Sequence, residues 1–454
     1  MPATIEATYE TIVARVERLP ISSWHHRVRV VLGIAAFFSA FNAVATALAA
    51  PVLLGIWHIS PVMIGLLISC EFTGQLIGAT SFGWVGERCG RIFTTKLTLL
   101  IISVFGFASA LSWGYASLLG FRFIQGMGMG GETPVASTYV NEIAKARGRG
   151  TFTMFYQLTF PLGFSIASLV GAWVIPHLGW RWMFIFGALP ALVMAFVIQR
   201  SMPESPRWLA RHQKLEAADR ILTKLETQAF GGAQMPGLAT TPVSETKGSV
   251  KFGDLFRGIY LKRTLYVWVM WFCASMIAWG VLLWLPSLLH TAYQLSIEQS
   301  LRYSVFGNVG VLIGGTLGAL VIDRIGRKGL FELSFLFAAL PLLVLGVLHQ
   351  PSGRTVMILS SLGMLSITAA ELALATYTSE IYPTRMRSLG HGVALSLGFA
   401  SAISVSPLVG LLLSVTHEAR AIFLSFAGIG FLGALVVLVF ATETSGKVLE
   451  EISP

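Results

Sequence analysis

Gly83-Trp84-Val85-Gly86-Glu87-Arg88-Cys89-Gly90-Arg91 returns near the middle of the chain as Ala319-Leu320-Val321-Ile322-Asp323-Arg324-Ile325-Gly326-Arg327-Lys328. In each copy an apolar run closes with an acid, a base, a glycine and further bases. Asp323 follows Glu87 by 236 residues in a chain of 454, the interval expected of one structural unit present twice. Two further pairs keep nearly the same spacing. Thr138-Tyr139…Glu142-Ile143…Arg147 returns as Thr376-Tyr377…Glu380-Ile381…Arg385, with Glu380 238 residues after Glu142. Pro203-Glu204-Ser205 is echoed 239 residues later by Thr442-Glu443-Thr444. Three matches in one order point to duplication rather than coincidence.

The chain is 54% hydrophobic and 12% charged, carrying about half the charge of a soluble domain. Apolar stretches of about 20 residues recur along its whole length, each long enough to cross ~30 Å of hydrocarbon as a helix. The lipid bilayer is therefore its solvent. Cys70, Cys89 and Cys273 lie in apolar runs or a basic turn and indicate neither a disulfide framework nor a metal site. No cofactor is implied: the run Gly126-Met127-Gly128-Met129-Gly130-Gly131 lies inside a span and lacks the following Lys-Ser/Thr of a phosphate loop.

The net charge of +10 does not point to nucleic acid, because the bases follow topology. Arg122 lies in a span and Arg181, Arg302, Arg354 and Arg420 lie near one face; the other 27 of the 32 Lys and Arg fall in the tails and alternate loops. The positive-inside rule makes those loops and both termini cytoplasmic. Twelve spans are expected, at roughly 30–50, 62–84, 95–113, 115–140, 152–175, 181–200, 264–288, 300–322, 330–349, 354–380, 388–414 and 420–441. The fold class is thus an all-α integral membrane protein of two pseudo-symmetric six-helix bundles. Its parts are a cytoplasmic N-terminal tail (1–29) without a cleavable signal pattern, an N-terminal bundle (30–200), a linker (201–263), a C-terminal bundle (264–441) and a cytoplasmic C-terminal tail (442–454). In the linker, Trp208, Leu215, Ala218, Leu222 and Leu225 fall at near-helical spacing among bases, which predicts an amphipathic helix on the inner membrane surface. Gly231 to Val250 reads as a flexible connector.

Together with Pro203-Glu204-Ser205-Pro206-Arg207-Trp208-Leu209, Glu380-Ile381-Tyr382-Pro383-Thr384-Arg385 and Glu443-Thr444-Ser445-Gly446-Lys447, the doubled acid-Arg-x-Gly-Arg turn resembles the major facilitator superfamily over nearly the whole chain. The branch is similar to the one holding sugar porters, organic-ion transporters and bacterial metabolite–proton symporters. Arg122-Phe123-Ile124-Gln125-Gly126-Met127-Gly128-Met129-Gly130-Gly131-Glu132-Thr133-Pro134 is most similar to symporters of small organic acids, nicotinate transporters among them. The paired glutamines of sugar porters are absent from Ala274-Ser275-Met276-Ile277-Ala278-Trp279-Gly280, whereas Gln157 resembles their fifth-span glutamine. Asn42 stands where aromatic-acid symporters often carry aspartate, and Thr442 replaces the branch's usual proline.

An acid at the cytoplasmic end of a span accepts the partial positive end of a neighbouring helix and pairs with arginine. Glu87, Arg88, Arg91, Asp323, Arg324 and Arg327, with Glu142, Arg147, Glu380 and Arg385, are therefore the expected gating residues, locking the halves together while the site faces outward. Four ionisable residues lie within spans: Glu71, Arg122, Glu132 and Glu371. A charge near the bilayer centre costs ~2.5–3.5 kcal/mol even on permissive scales, so each needs a partner or a wet cavity. Glu132 lies seven positions before Tyr139 and Glu371 six before Tyr377, which places the two acids at matching heights on either side of the repeat interface. Burial favours the protonated form that a proton carrier needs. Proton coupling is assigned to Glu132, Glu371 and Glu71, each with a structural hydrogen bond as the plain alternative. Arg122, ten residues before Glu132 and on the same helical face, is a candidate for a substrate carboxylate or for structural pairing. Asn42, Gln157, Tyr156, Trp279 and Tyr377 complete the candidate substrate contacts, with Trp271 and Trp284 in the same spans.

The expected function is proton-coupled symport of a small organic acid, aromatic monocarboxylates included, by alternating access in the inner (plasma) membrane. A sugar or organic cation is the alternative cargo, and a non-transporting sensor a further one. An enzyme is disfavoured because no nucleophile–base pair or metal spacing stands at a plausible depth. The expected partners are a small-molecule substrate, protons and the bilayer, with no nucleic acid, and the expected state is a monomer.

Overall fold

The structure, a computed structural model, describes residues 8–144, 149–230, 252–383 and 386–445. Arg147, Arg385 and the connector expected from Gly231 to Val250 lie outside the described residues. Among the described residues the secondary structure is helical throughout. In chain order the helices are α1 (Tyr9–Arg18), α2 (Ser23–Ile56), α3 (Pro61–Cys89), α4 (Arg91–Ala110), α5 (Tyr115–Ile143), α6 (Arg149–Gln157), α7 (Thr159–Leu178) and α8 (Arg181–Ser201). After the short α9 (Pro206–Arg211) and α10 (Leu215–Phe230) come α11 (Ile259–Thr291), α12 (Ile297–Val347), α13 (Gly353–Ile381), α14 (Arg387–Thr416) and α15 (Arg420–Phe440). Among the described residues, ten helical segments are long and apolar enough to cross a membrane. The 51-residue α12 holds two spans, broken at Gly326, and the glycine-rich α5 packs along α3 and α4 as a further one, which makes twelve.

Local chemistry sets the helix ends. On the face away from α9 and α10, the far face, Ser60, Ser296 and Ser352 cap α3, α12 and α13, each accepting a backbone N–H with its hydroxyl. On the linker face, Gly90 at φ 107° and Gly326 at φ 78° turn the chain between consecutive spans, in a region of backbone space open in practice to glycine alone. A Cβ on Gly90 would collide with a Glu204 carboxylate oxygen, and one on Gly326 would collide with the carboxylate of Glu443. The repeated glycine thus makes room for a repeated acid.

Within the first bundle α3 packs on α5 and α4 on α8; within the second α12 packs on α13 and α15. The bundles meet where α3 touches α14, α7 touches the first half of α12, and α2 touches α11. Phe72 of α3 and Phe164 of α7 both set ring edges against Trp279 of α11, at 5.0 and 6.0 Å.

Within the stretch expected as the N-terminal tail, residues 9–18 form a helix, and α2 begins at Ser23. One expectation is corrected on the linker face. The apolar stripe of the linker does not lie on the membrane surface: Trp208, Leu209, Ala218, Leu222 and Leu225 pack against Ile12 and Val16 of α1 and Leu19 just after it. Arg15 pairs with Asp219 and with Glu226 at 2.8 Å, Arg18 reaches Glu226 at 2.7 Å, and Arg207 reaches Glu17 at 2.5 Å. A protein partner satisfies both the stripe and its charges, which lipid would do only for the stripe. Trp208 fixes this module to the first bundle by donating Nε1–H to the Glu87 carbonyl at 2.7 Å.

Candidate functional site

The repeated turns build two matching charge clusters. Arg91, 3% exposed, binds Glu87 at 2.7 Å, Glu142 at 2.9 Å and the Gly86 carbonyl at 2.6 Å. Arg327 binds Asp323 at 2.7 Å and Glu380 at 3.0 Å. Glu204 accepts the Ile92 N–H at 3.2 Å, and Glu443 accepts those of Arg327 and Lys328, each at 2.9 Å. Burial raises the Glu204 carboxyl above its ordinary range despite its backbone hydrogen bonds, and the Glu142 charge adds to the rise. At Glu443 burial pushes the same way but is outweighed by the N–H groups of Ser445, Arg327, Lys328 and Thr444, so the carboxyl lies below the ordinary range.

These pairs differ from the expected lock in one respect: each joins helix ends of a single bundle, Arg91 to α3 and α5 and Arg327 to the two halves of α12 and to α13. Arg88 lies exposed over its own helix's Trp84, 4.0 Å from the ring centroid, and Arg324 is exposed. Tyr377 belongs to this layer and not to a substrate cavity. Fully buried, it donates to the Thr442 carbonyl at 3.1 Å, as Tyr139 does to Pro203 at 2.7 Å.

Arg122 is likewise engaged within a single bundle. It is fully buried, pairs with Glu71 at 2.6 Å, and donates to the Asn42 carbonyl at 2.7 Å and to Gln125 at 2.5 Å. Phe184 lies under the guanidinium at 5.2 Å. Thr46 donates to Glu71 at 2.9 Å, and Gln125 donates to the Asn42 side chain at 3.1 Å. Of the two roles expected for Arg122, the structure shows the structural pairing: its partner is Glu71 of α3, and Asn42 is part of that buried network. A guanidinium inside a bundle must have its donors filled by the protein, and here three helices fill them.

Glu132 and Glu371 are held differently, and alike. Ser39 of α2 donates to Glu132 of α5 at 3.1 Å, and Ser275 of α11 donates to Glu371 of α13 at 3.0 Å. Ser275 follows Ser39 by 236 residues and Glu371 follows Glu132 by 239, so the internal repeat carries the serine as well as the acid. Glu132 is fully buried with Oε1 unpartnered, whereas Glu371 is half-buried. The Tyr156 hydroxyl, buried and likewise unpartnered, lies within electrostatic reach of Glu132. Trp279 is half-buried at the seam, and Gln157 is exposed at the break between α6 and α7. Trp271 donates to Thr378 at 3.0 Å, and Trp284 is fully buried.

Ser39, Ser275, Gln125 and the two capping acids Glu204 and Glu443 are not among the residues expected at the site. The repeat interval was the available signal for the serines, and the Pro203-Glu204-Ser205 echo for the acids.

Comparison with known proteins agrees with this architecture. Residues 28–454 match the profile of the family described as sugar (and other) transporter. The niacin transporter NiaP of Acinetobacter baylyi is 32% identical over 97% of this chain and 99% of its own. The putative metabolite transport protein YyaJ of Bacillus subtilis is 32% identical over 95% of this chain and 96% of its own. The crystal structure of a D-xylose-proton symporter superposes with a TM-score of 0.76 over 94% of this chain and 100% of the other, at 19% identity, a likeness of fold.

Proposed function

Since the chain belongs to the sugar (and other) transporter family of the major facilitator superfamily, and is a transporter rather than an enzyme, we propose that it carries a small organic acid together with protons through the inner membrane by alternating access. The observation that carries this reading is the pair of repeat-related carboxyls, Glu132 and Glu371, each held by one serine and by no basic side chain among the described residues. A carboxyl in a span without a cation is held at least cost as the neutral acid. The neutral acid is an O–H donor, and the ionised one is not. Loading a proton therefore creates the donor that a substrate carboxylate needs, so each ligand strengthens the binding of the other. Glu371, half-buried, takes the substrate-facing part, and the fully buried Glu132 stores the second proton. Trp279 of the second bundle, touched by Phe72 and Phe164 of the first, offers a face for an aromatic ring. The relative named for niacin, a pyridine carboxylate, fits this chemistry.

With the linker face cytoplasmic, as the distribution of bases favours, the charge clusters make each bundle a rigid body that rocks against the other, and the gating role of Arg91 and Arg327 is to keep the helix ends of each bundle together. A second reading, transport of an organic cation, is favoured by the capture of Arg122 by Glu71, which leaves acids as the charged in-span groups toward the seam. Uptake into proteoliposomes separates the two. Acidifying the outside should stimulate uptake of aromatic monocarboxylates; uptake confined to amines and suppressed by acid would establish the cation reading.

A further inference from the structure

The half of the molecule away from the linker is closed by two junctions between the bundles, and the internal repeat makes them one junction used twice. Where α3 meets α14, the Ser69 hydroxyl donates to the Ile403 carbonyl at 2.7 Å. Where α7 meets α12, the Ser165 hydroxyl is shared between the Pro161 carbonyl of its own helix at 2.8 Å and the Asn308 carbonyl across the junction at 3.0 Å. Asn308 follows Ser69 by 239 residues and Ile403 follows Ser165 by 238, so the same two positions of the repeat face each other in both places, with the hydroxyl on opposite members. Gly65 and Ser406 obey the same rule with Ser304 and Ser168.

The two junctions close by different means. At the first, backbone meets backbone: a Cβ on Gly65 would collide with the Ser406 carbonyl oxygen, and one on Gly410 would stand 2.5 Å from that of Pro61. At the second, a side-chain amide fills the space. Asn308 Nδ2 donates to Ser168 Oγ at 2.7 Å and to the Ser304 carbonyl at 3.2 Å, while its Oδ1 is buried without a partner. Asn308 is 4% exposed, Ser165 7% and Ser168 fully buried. A packed backbone contact gains from closeness alone, but an amide that bonds across a seam can exchange those bonds for water when the seam opens.

We propose that Asn308, with Ser165 and Ser168, is the polar latch of the far gate, a set of cross-bundle hydrogen bonds made when the far face shuts and broken once in every transport cycle. The asymmetry gives the gate a hinge side and a release side: the glycine-lined α3–α14 junction stays close, and the α7–α12 junction parts. This rests on the alternating-access reading but not on the identity of the cargo.

The test uses full-length protein in which Cys70, Cys89 and Cys273 are replaced by serine and Leu285→Cys, beside Gly307 at the latch, reports opening by its rate of alkylation with an impermeant maleimide in the absence of substrate. Ser165→Ala with Ser168→Ala should raise that rate roughly tenfold, the shift in an opening equilibrium that follows loss of one or two hydrogen bonds. Ser425→Ala, which removes only a bond within its own helix, should leave the rate unchanged. In a second variant lacking Leu285→Cys, oxidation of Asn308→Cys with Ser168→Cys should stop uptake and counterflow, and a reductant should restore both. Equal alkylation rates in the serine variants and the parent, or full counterflow in the oxidised pair, would overturn the latch. Alkylation is read without transport, so an error in the assigned cargo would leave it intact.

Discussion

The hydroxyl of Ser39 donates to Glu132 across 3.1 Å, inside a bundle that leaves the other oxygen of this carboxyl buried and unpartnered. One hydrogen bond fixes the orientation of the acid without neutralising it. The same arrangement stands at Ser275 and Glu371 in the second bundle, with the acid half-buried. Arg122 and Glu71 show the contrasting solution, in which charge is cancelled at once by a fixed counter-charge. Only the first arrangement can change its protonation state without breaking a salt bridge.

Arg122→Ala should therefore be a stability variant. It leaves Glu71 buried without its counter-charge, and removing one member of a buried pair costs about 3–5 kcal/mol. Thermal unfolding in detergent should show a large loss, with Arg122→Lys recovering little because a single ammonium cannot reach Glu71, Asn42 and Gln125 together. If instead the variants keep the parent melting temperature and lose only ligand affinity, Arg122 is a substrate contact.

Gly326→Ala and Gly90→Ala should both destabilise, since each forces an L side chain into a region that costs about 1–3 kcal/mol and drives a methyl into Glu443 or Glu204. Comparing the two reports how far the repeat is energetically symmetric. Wild-type melting for either variant would mean that the turn relaxes.

The module of α1, α9 and α10 carries a pH dependence of defined sign. Burial opposes ionisation of Glu226, but hydrogen bonds and charge from Arg15 and Arg18 outweigh it, so its carboxyl lies below the ordinary range. A carboxyl lowered by folding stabilises the docked state fully above the unfolded value of about 4.3 and loses that contribution as pH falls through the folded value beneath it. Protection of residues 9–18 from hydrogen exchange, corrected for intrinsic rates, should thus persist down to that range and then fall. Glu226→Gln should show reduced protection already at neutral pH; unchanged protection would assign the docking to the apolar contacts of Ile12 and Val16.

Much of this was legible in the sequence because duplication writes each signal twice. The spans, the turns at Gly90 and Gly326 and the matching heights of Glu132 and Glu371 follow from hydropathy and one interval. The direction in which a side chain points did not follow. Arg122 and Glu132 share a face of α5 by spacing, yet the guanidinium turns to Glu71, a residue of another span that no periodicity links to it. Tyr377 was legible as an in-span aromatic, but its use in binding Thr442 depends on where α15 ends. The stripe of α10 was visible; its partner was not, because α1 is short and its charged residues conceal the Ile12–Val16 face.

If Glu132 and Glu371 couple proton movement to transport, substitution by glutamine will expose it, since shape and most hydrogen bonding are kept while the titrating group is removed. Wild type, Glu132→Gln and Glu371→Gln are reconstituted at equal density, and aromatic monocarboxylate accumulation under an imposed pH step is compared with counterflow at equal pH. Glu132→Gln should lose accumulation but keep counterflow, because exchange proceeds without returning an unloaded, deprotonated carrier, and Glu371→Gln should lose accumulation together with part of its affinity. Accumulation equal to wild type in both variants would contradict that coupling.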